Sequence, residues 1–275
     1  MIPYVGSHST YALFQIAAAL AFLGVVSLLL LRRRFPVIHP LALTMIYLFS
    51  NVVAAKVLFD LFRTDRSHGL WNHLSIGHIR EGGYWGWPIA FLPAVLVYAG
   101  LLKPERRGDL LEAVAWALPP TMFFQKIACF MAGCCHGGPS GLPWAVAFPA
   151  GSACSLPGTP VHPVQLYDAV SMALLLALLW IVKRRRPGIA GARLFWIFVA
   201  GYALSRFVTE LFRAEFAGRL LGSQWLESGA FCAAAGILVA LGNAKGRRGE
   251  CPVRPGEASF LRRVPDAGRS GGAGP

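Results

Sequence analysis

Three short stretches carry most of the side chains that could do chemistry inside an otherwise apolar chain. The first is GYALSRFVTELFR, residues 201–213. Arg206, Glu210 and Arg213 are spaced i, i+4, i+7 there, so a helix puts them on one stripe, with Tyr202 one turn before Arg206. A guanidinium presents a planar fork of donors that suits phosphate or carboxylate, and Glu210 is placed to hold that fork. On a water-exposed helix such a pair is worth about 0.2–0.5 kcal/mol. At membrane depth each ionisable group costs about 2.5–3.5 kcal/mol on insertion scales, so its presence points to a site. The stripe is expected to line a cavity near the outer surface, with Arg213 snorkelling to the interface. The alternative is a buried ion pair that only joins helices, and Lys56 and Asp60, also i, i+4, are read that way.

The second stretch, FFQKIACFMAGCCHGGPSG (123–141), combines Lys126, Cys129, Cys134, Cys135, His136 and Gly137. Thiols beside an imidazole can ligate metal or undergo oxidation. The spacing matches no zinc pattern, however, and no metal or cofactor is expected. Cys134 or Cys135 pairing with Cys154 is one alternative, and small cysteines packing between helices is another. Cys232 and Cys251 look incidental. The third stretch is HPVQLYDA (162–169). Proline suits the first turn of a helix, and His162, Gln165 and Tyr167 bring polar tips to the membrane interface.

These stretches need a scaffold, and composition says which kind. The chain is 55% hydrophobic and 14% charged, which favours a membrane protein over a water-soluble domain. About seven segments approach the roughly 20 apolar residues that a bilayer requires: 11–31, 37–62, 84–102, 110–135, 164–182, 192–212 and 223–242. The expectation is an all-α, polytopic membrane fold. Basic clusters follow every second span, at Arg32 to Arg34, Lys103 to Arg107, Lys183 to Arg186 and Lys245 to Arg248. Those loops should be cytoplasmic, which leaves the N-terminus outside and the C-terminus inside. The net charge of +13 is explained by these clusters, with no nucleic-acid partner. Residues 1–242 read as one membrane domain, and 243–275 as a disordered Gly/Pro-rich basic tail. No nucleotide-binding glycine loop is present.

Taken in order, the three stretches resemble the prolipoprotein diacylglyceryl transferase family of bacterial inner membranes. HPVQLYDA resembles its His-Pro-Ser-Gln-Leu-Tyr-Glu segment, and GYALSRFVTELFR is similar to its Gly-Tyr-x-x-x-Arg-x-x-x-Glu-x-x-Arg helix. KIACFMAGCCHG sits where the family has an Arg-x-Gly-Asn-Phe-x-Asn-Gly-Glu-x-x-Gly signature, and resembles a Gly-Cys-Cys-x-Gly variant of divergent members. The resemblance implies seven helices and transfer of a diacylglyceryl group from phosphatidylglycerol to the lipobox cysteine of a prolipoprotein signal peptide, for lipoprotein maturation. It also implies that Arg206 is the principal phosphate contact, that Glu210 orients the headgroup, that Tyr202 lines the same cavity and that Lys126 replaces the signature arginine. His136, Gly137, His162, Gln165 and Tyr167 then belong to the substrate-binding surface.

The chain also departs from the pattern. The family's His-Gly-Gly histidine has no counterpart in GGYWGWPIAF (82–91), the signature's asparagine and glutamate are replaced by Cys129 and Cys134, and Gln15 stands where a tyrosine is expected. His78, His136 and His162 are the substitutes available as general base. These losses keep two other readings open: a non-catalytic relative that binds lipid headgroups, and a membrane thiol or redox protein using Cys129, Cys134 and Cys135.

Overall fold

The structure is a computed structural model that describes residues 4–5, 8–54 and 90–213, with 229, 232–234 and 236–237 of a later helical stretch. Lys56, Asp60, His78, residues 82–89, most of the expected 223–242 span and the 243–275 tail lie outside the described residues.

A two-residue hairpin, β1 (Tyr4–Val5) against β2 (His8–Ser9), leads into α1 (Thr10–Arg32). In α1 the buried Ala18, Phe22, Val26 and Leu30 recur every fourth position and form one stripe. Ile16, Leu20 and Leu28 on its other faces are exposed. A helix apolar all round, with only one face covered by protein, is built for contact with lipid. α2 (Ile38–Leu48) continues into a π-helical turn over Phe49–Ala54, and α3 (Leu92–Leu101) follows. Phe22 stacks on Tyr47 with ring centroids 4.7 Å apart and meets Phe91 edge-on at 5.8 Å, which ties α1, α2 and the start of α3 together.

The centre of the bundle is α4 (Pro104–Ala132), which packs against α1, α3, α5 (Val164–Arg185) and α6 (Gly191–Glu210). Its 29 residues span about 43 Å at 1.5 Å per residue. It starts earlier than the sequence suggests because Pro104 occupies the first turn, where its missing N–H costs nothing. It stops earlier because Gly133 adopts a left-handed φ of 81° and its N–H closes on the Cys129 carbonyl at 2.9 Å, so Cys134 and Cys135 belong to the loop rather than to the expected 110–135 span. The other described helices fall close to expectation. Among the described residues, α1 and α5 are long and apolar enough to cross a membrane.

One end of the bundle collects the basic loops. Arg33 pairs with Asp109 at 2.7 Å and with Glu112 at 2.9 Å, and Lys183 reaches the other oxygen of Glu112 at 2.8 Å. α6 starts there against α4 with no room to spare. A Cβ on Gly191 would lie 2.1 Å from the Gly108 carbonyl oxygen. The opposite end holds the 133–163 loop, in which β3 (Val146–Ala147) pairs with β4 (Pro160–Val161).

Candidate functional site

At that opposite end α4, α5 and α6 each contribute charge to one buried cluster. Asp168, from α5, accepts on Oδ2 from Lys126 Nζ of α4 at 2.6 Å and from Arg206 Nη1 of α6 at 2.8 Å. Its Oδ1 accepts from the Thr209 hydroxyl at 2.7 Å. Arg206 also donates through Nη2 to Glu210, one turn on, and Arg213 Nη1 lies 3.5 Å from the same Glu210 oxygen. Arg206 is 1% exposed, whereas Lys126 and Arg213 keep 18% and 14% of their side chains accessible. Among the described residues, three cations and two carboxylates thus meet in this cluster. Withdrawing charges from water costs several kcal/mol each, and only such mutual pairing makes it tolerable.

This geometry corrects the expectation that the Arg206 stripe lines a cavity. Arg206 is enclosed by Asp168 and Glu210, because both carboxylates lie within reach and the guanidinium gains most by satisfying them. Tyr202 does not line it either, being buried in the core and stacked on Phe198 at 6.0 Å. The cavity lies beside the cluster, between α5 and α6, with a volume of about 380 Å³. Leu142, Trp144, Tyr167, Val208 and Phe212 give it apolar walls, and Ser171 and Thr209 supply hydroxyls. Thr209 is the link, since it lines the cavity and donates to Asp168.

The 133–163 loop is sewn to the helix ends. Gly137 N–H donates to the His162 carbonyl at 2.8 Å, Gly138 N–H to the Phe212 carbonyl at 2.9 Å, and His162 N–H to the Gly138 carbonyl at 2.9 Å. Gly137 has no alternative, because a Cβ there would lie 2.4 Å from Phe212 O and 2.6 Å from His162 Cβ. His136 is committed as well. Ser155 N–H donates to its Nε2 at 3.1 Å, so the ring proton sits on Nδ1 and goes to the Gly137 carbonyl at 2.8 Å. A buried imidazole whose lone pair already accepts a hydrogen bond is a loop fastener and not a free base. His162 lies between Tyr167 and Phe212, with Nδ1 3.3 Å from the Tyr167 hydroxyl. Trp144 donates to that hydroxyl at 2.8 Å, which closes the aromatic mouth of the cavity. Gln165 is 1% exposed; its amide nitrogen donates to the Cys134 carbonyl at 2.7 Å, and its buried Oε1 has no partner among the described residues.

The cysteines do not pair as the disulfide alternative required. Cys129, Cys134, Cys135 and Cys154 are free thiols, and Cys154 is buried in a separate apolar patch with Phe148 and Val161. The sulfurs of Cys129, Cys134 and Cys135 all lie within 4.8 Å of one another. Tyr11, one turn before Gln15 on α1, stands close enough to feel all three.

Sequence reasoning missed Asp168, Thr209 and Glu112. Asp168 was in view as the last acidic position of the HPVQLYDA stretch, where the family segment ends in glutamate. An acid inside a span calls for a partner by the same rule that singled out Glu210.

The profile of the family described as prolipoprotein diacylglyceryl transferase matches residues 5–243. Curated relatives named phosphatidylglycerol–prolipoprotein diacylglyceryl transferase align as well. That of Ruegeria pomeroyi is 40% identical over 132 residues, 42% of this chain and 43% of the relative. That of Rhizobium leguminosarum bv. trifolii is 35% identical over 184 residues, 64% of this chain and 59% of the relative. For Cereibacter sphaeroides the figures are 35% over 195 residues, and 65% of each chain. The chain therefore spans between about two fifths and just under two thirds of these relatives' length.

Proposed function

This chain belongs to the prolipoprotein diacylglyceryl transferase family, and we propose on that footing that it moves the diacylglyceryl group of phosphatidylglycerol onto the lipobox cysteine of a prolipoprotein signal peptide. It works as a multi-pass protein of the bacterial plasma membrane, with the Asp168 end of the bundle facing outward and the Arg33–Glu112–Lys183 end facing the cytoplasm. The basic clusters gathered at the latter end support that orientation.

In the reaction a sulfur–carbon bond forms at the glyceryl carbon, the carbon–oxygen bond to phosphorus breaks, and glycerol phosphate leaves with the electron pair. The leaving phosphate gains negative charge as that bond breaks, so preorganised cations beside it favour the transition state over the ground state. Lys126 and Arg213, the partly exposed cations of the cluster, meet the phosphate. Arg206, held by Asp168 and Glu210, sets the field from behind and fixes α5 against α6. The aromatic and aliphatic walls of the cavity take the apolar part of the lipid, with the Thr209 and Ser171 hydroxyls at its polar floor. Gly137 keeps the 133–163 loop docked over the site, and Gln165, His162 and Tyr167 shape its mouth.

The observation that carries this reading is the family match over 5–243, joined to a buried cluster that holds Lys126, Arg206 and Arg213 beside an apolar-walled cavity of about 380 Å³. Membranes containing the chain should transfer labelled lipid from phosphatidylglycerol to a lipobox peptide, and Lys126→Ala should lower the rate by roughly 10²-fold, the scale of one lost transition-state contact. No product, beside a relative that is active in the same assay, would overturn the assignment.

A further inference from the structure

The transferase reading requires a group that takes the proton of the acceptor thiol. A free thiol has a pKa near 8.5 and must lose its proton before it attacks, yet His136 is committed to Gly137 and Ser155. We propose that Cys129, Cys134 and Cys135 form a thiolate site for Zn²⁺, whose fourth position takes the acceptor cysteine as its thiolate; the second half of this proposal rests on the transferase reading.

Geometry comes first. The three sulfurs lie within 4.8 Å of one another. A tetrahedral zinc with Zn–S bonds of about 2.3 Å needs sulfurs about 3.8 Å apart, a closure within reach of χ1 adjustment. The sequence spacing hides this grouping. Cys129 lies on the last turns of α4, and the other two return to it only because Gly133 and Cys135 both take left-handed φ, 81° and 61°. A non-glycine residue in that region is uncommon and is held there at a cost. Gln165 Nε2 pins the chain at the Cys134 carbonyl at 2.7 Å.

The ligand count and charge fit an open site. The cluster of possible ligands holds three members and no fourth among the described residues. Three protein ligands with one position left for water or substrate is the pattern of catalytic zinc, whereas structural zinc is closed by four. Cys135 is exposed as a residue. Three thiolates around Zn²⁺ carry one net negative charge, and the neighbouring cluster places Lys126, Arg206 and Arg213 on the same end of the bundle. Lys126 precedes Cys129 by three positions on α4, so a helix puts the two on neighbouring positions of one face.

The chemistry balances without redox. A coordinated thiol is deprotonated outright. A zinc-bound hydroxide accepts the acceptor's proton and departs as water, and the thiolate takes its place. Its sulfur then attacks the glyceryl carbon, the carbon–oxygen bond breaks toward phosphate, and the thioether leaves the zinc, which remains Zn²⁺ throughout. The site thereby supplies what the family histidine would have supplied.

The test uses the full chain in detergent micelles, kept reduced with a phosphine. Dialysis against Zn²⁺ should leave one zinc per chain, and less than a tenth of that in the Cys129→Ser/Cys134→Ser/Cys135→Ser variant. Cys154→Ser should bind as the parent does. Cd²⁺ should give a sulfur-to-metal charge-transfer band that changes on addition of a lipobox peptide and not of its S-methylated form. Zinc no higher in the parent than in the triple variant overturns the site. Because uptake by the parent decides the matter, a poorly folded triple variant does not rescue the proposal. Zinc and peptide thiol both bound with no lipid transferred would sink the transferase reading and leave the site standing. Parental transfer rates in the triple variant would overturn the role of the site in activating the acceptor thiol and leave the transferase reading standing.

Discussion

Arg206 and Asp168 stand 38 positions apart in sequence and meet at 2.8 Å inside the bundle, the guanidinium of α6 donating to the carboxylate of α5. Lys126 of α4 shares the same oxygen at 2.6 Å, so one carboxylate fastens three helices. Asp168→Asn keeps the shape and removes the charge that Lys126 and Arg206 share. Breaking a buried pair from one side costs about 3–5 kcal/mol. The expected outcome is a large drop in thermal midpoint in micelles and loss of lipid transfer, with Asp168→Glu retaining more of both.

That relationship also marks how far the sequence could be read. Arg206 and Glu210 were legible because a helix fixes their neighbourhood at i, i+4, and so was the membrane class, because a run of some 20 apolar residues has few other uses. The partners of Asp168 were not, since they lie on α4 and α6 and nothing local in HPVQLYDA announces them. The same limit explains Arg206, whose donor chemistry was read correctly as suited to an anion but whose anions turn out to be the protein's own. The thiols Cys129, Cys134 and Cys135 were in view as a group, but the approach of their sulfurs to within 4.8 Å of one another was not legible. Two left-handed residues reverse the chain after α4, and no spacing rule registers such a turn.

The other end of the bundle provides a contrast. Glu112 is buried between Arg33 at 2.9 Å and Lys183 at 2.8 Å, joining α1, α4 and α5 far from the cavity. Glu112→Gln should therefore destabilise by about 3 kcal/mol while leaving the transfer rate per folded molecule unchanged. Thermal unfolding paired with an assay normalised to folded protein separates the two effects; a specific loss of rate would mean that the two ends are coupled.

Gly137 yields a steric prediction. In Gly137→Ala the new methyl would stand 2.4 Å from a backbone oxygen and 2.7 Å from Val164 Cγ2, neither of which can swing aside as a flexible side chain would. Overpacking of this kind costs about 1–3 kcal/mol. Amide exchange should rise at Gly138 and His162, whose N–H groups close the seam between the loop and the ends of α5 and α6. Unchanged protection at both positions would show that the seam yields more easily than its distances imply.

The cavity permits binding to be separated from chemistry. Val208 lines its wall and is 45% exposed, so Val208→Trp fills space without opening the core. Thr209 lines the same cavity but also donates to Asp168 Oδ1 at 2.7 Å, and Thr209→Val removes that bond at nearly constant volume. An interaction equal in ground and transition states alters KM, whereas one felt mainly in the transition state alters kcat. Val208→Trp should raise KM for phosphatidylglycerol by roughly tenfold, about 1.4 kcal/mol of lost contact, with kcat little changed. Thr209→Val should lower kcat, because an Asp168 freed on one side holds Lys126 and Arg206 less firmly where the leaving phosphate gains its charge. Steady-state kinetics with a lipobox peptide at saturation distinguish them, and equal effects of the two variants on KM alone would mean that the cavity receives the lipid while the charge cluster only braces the helices.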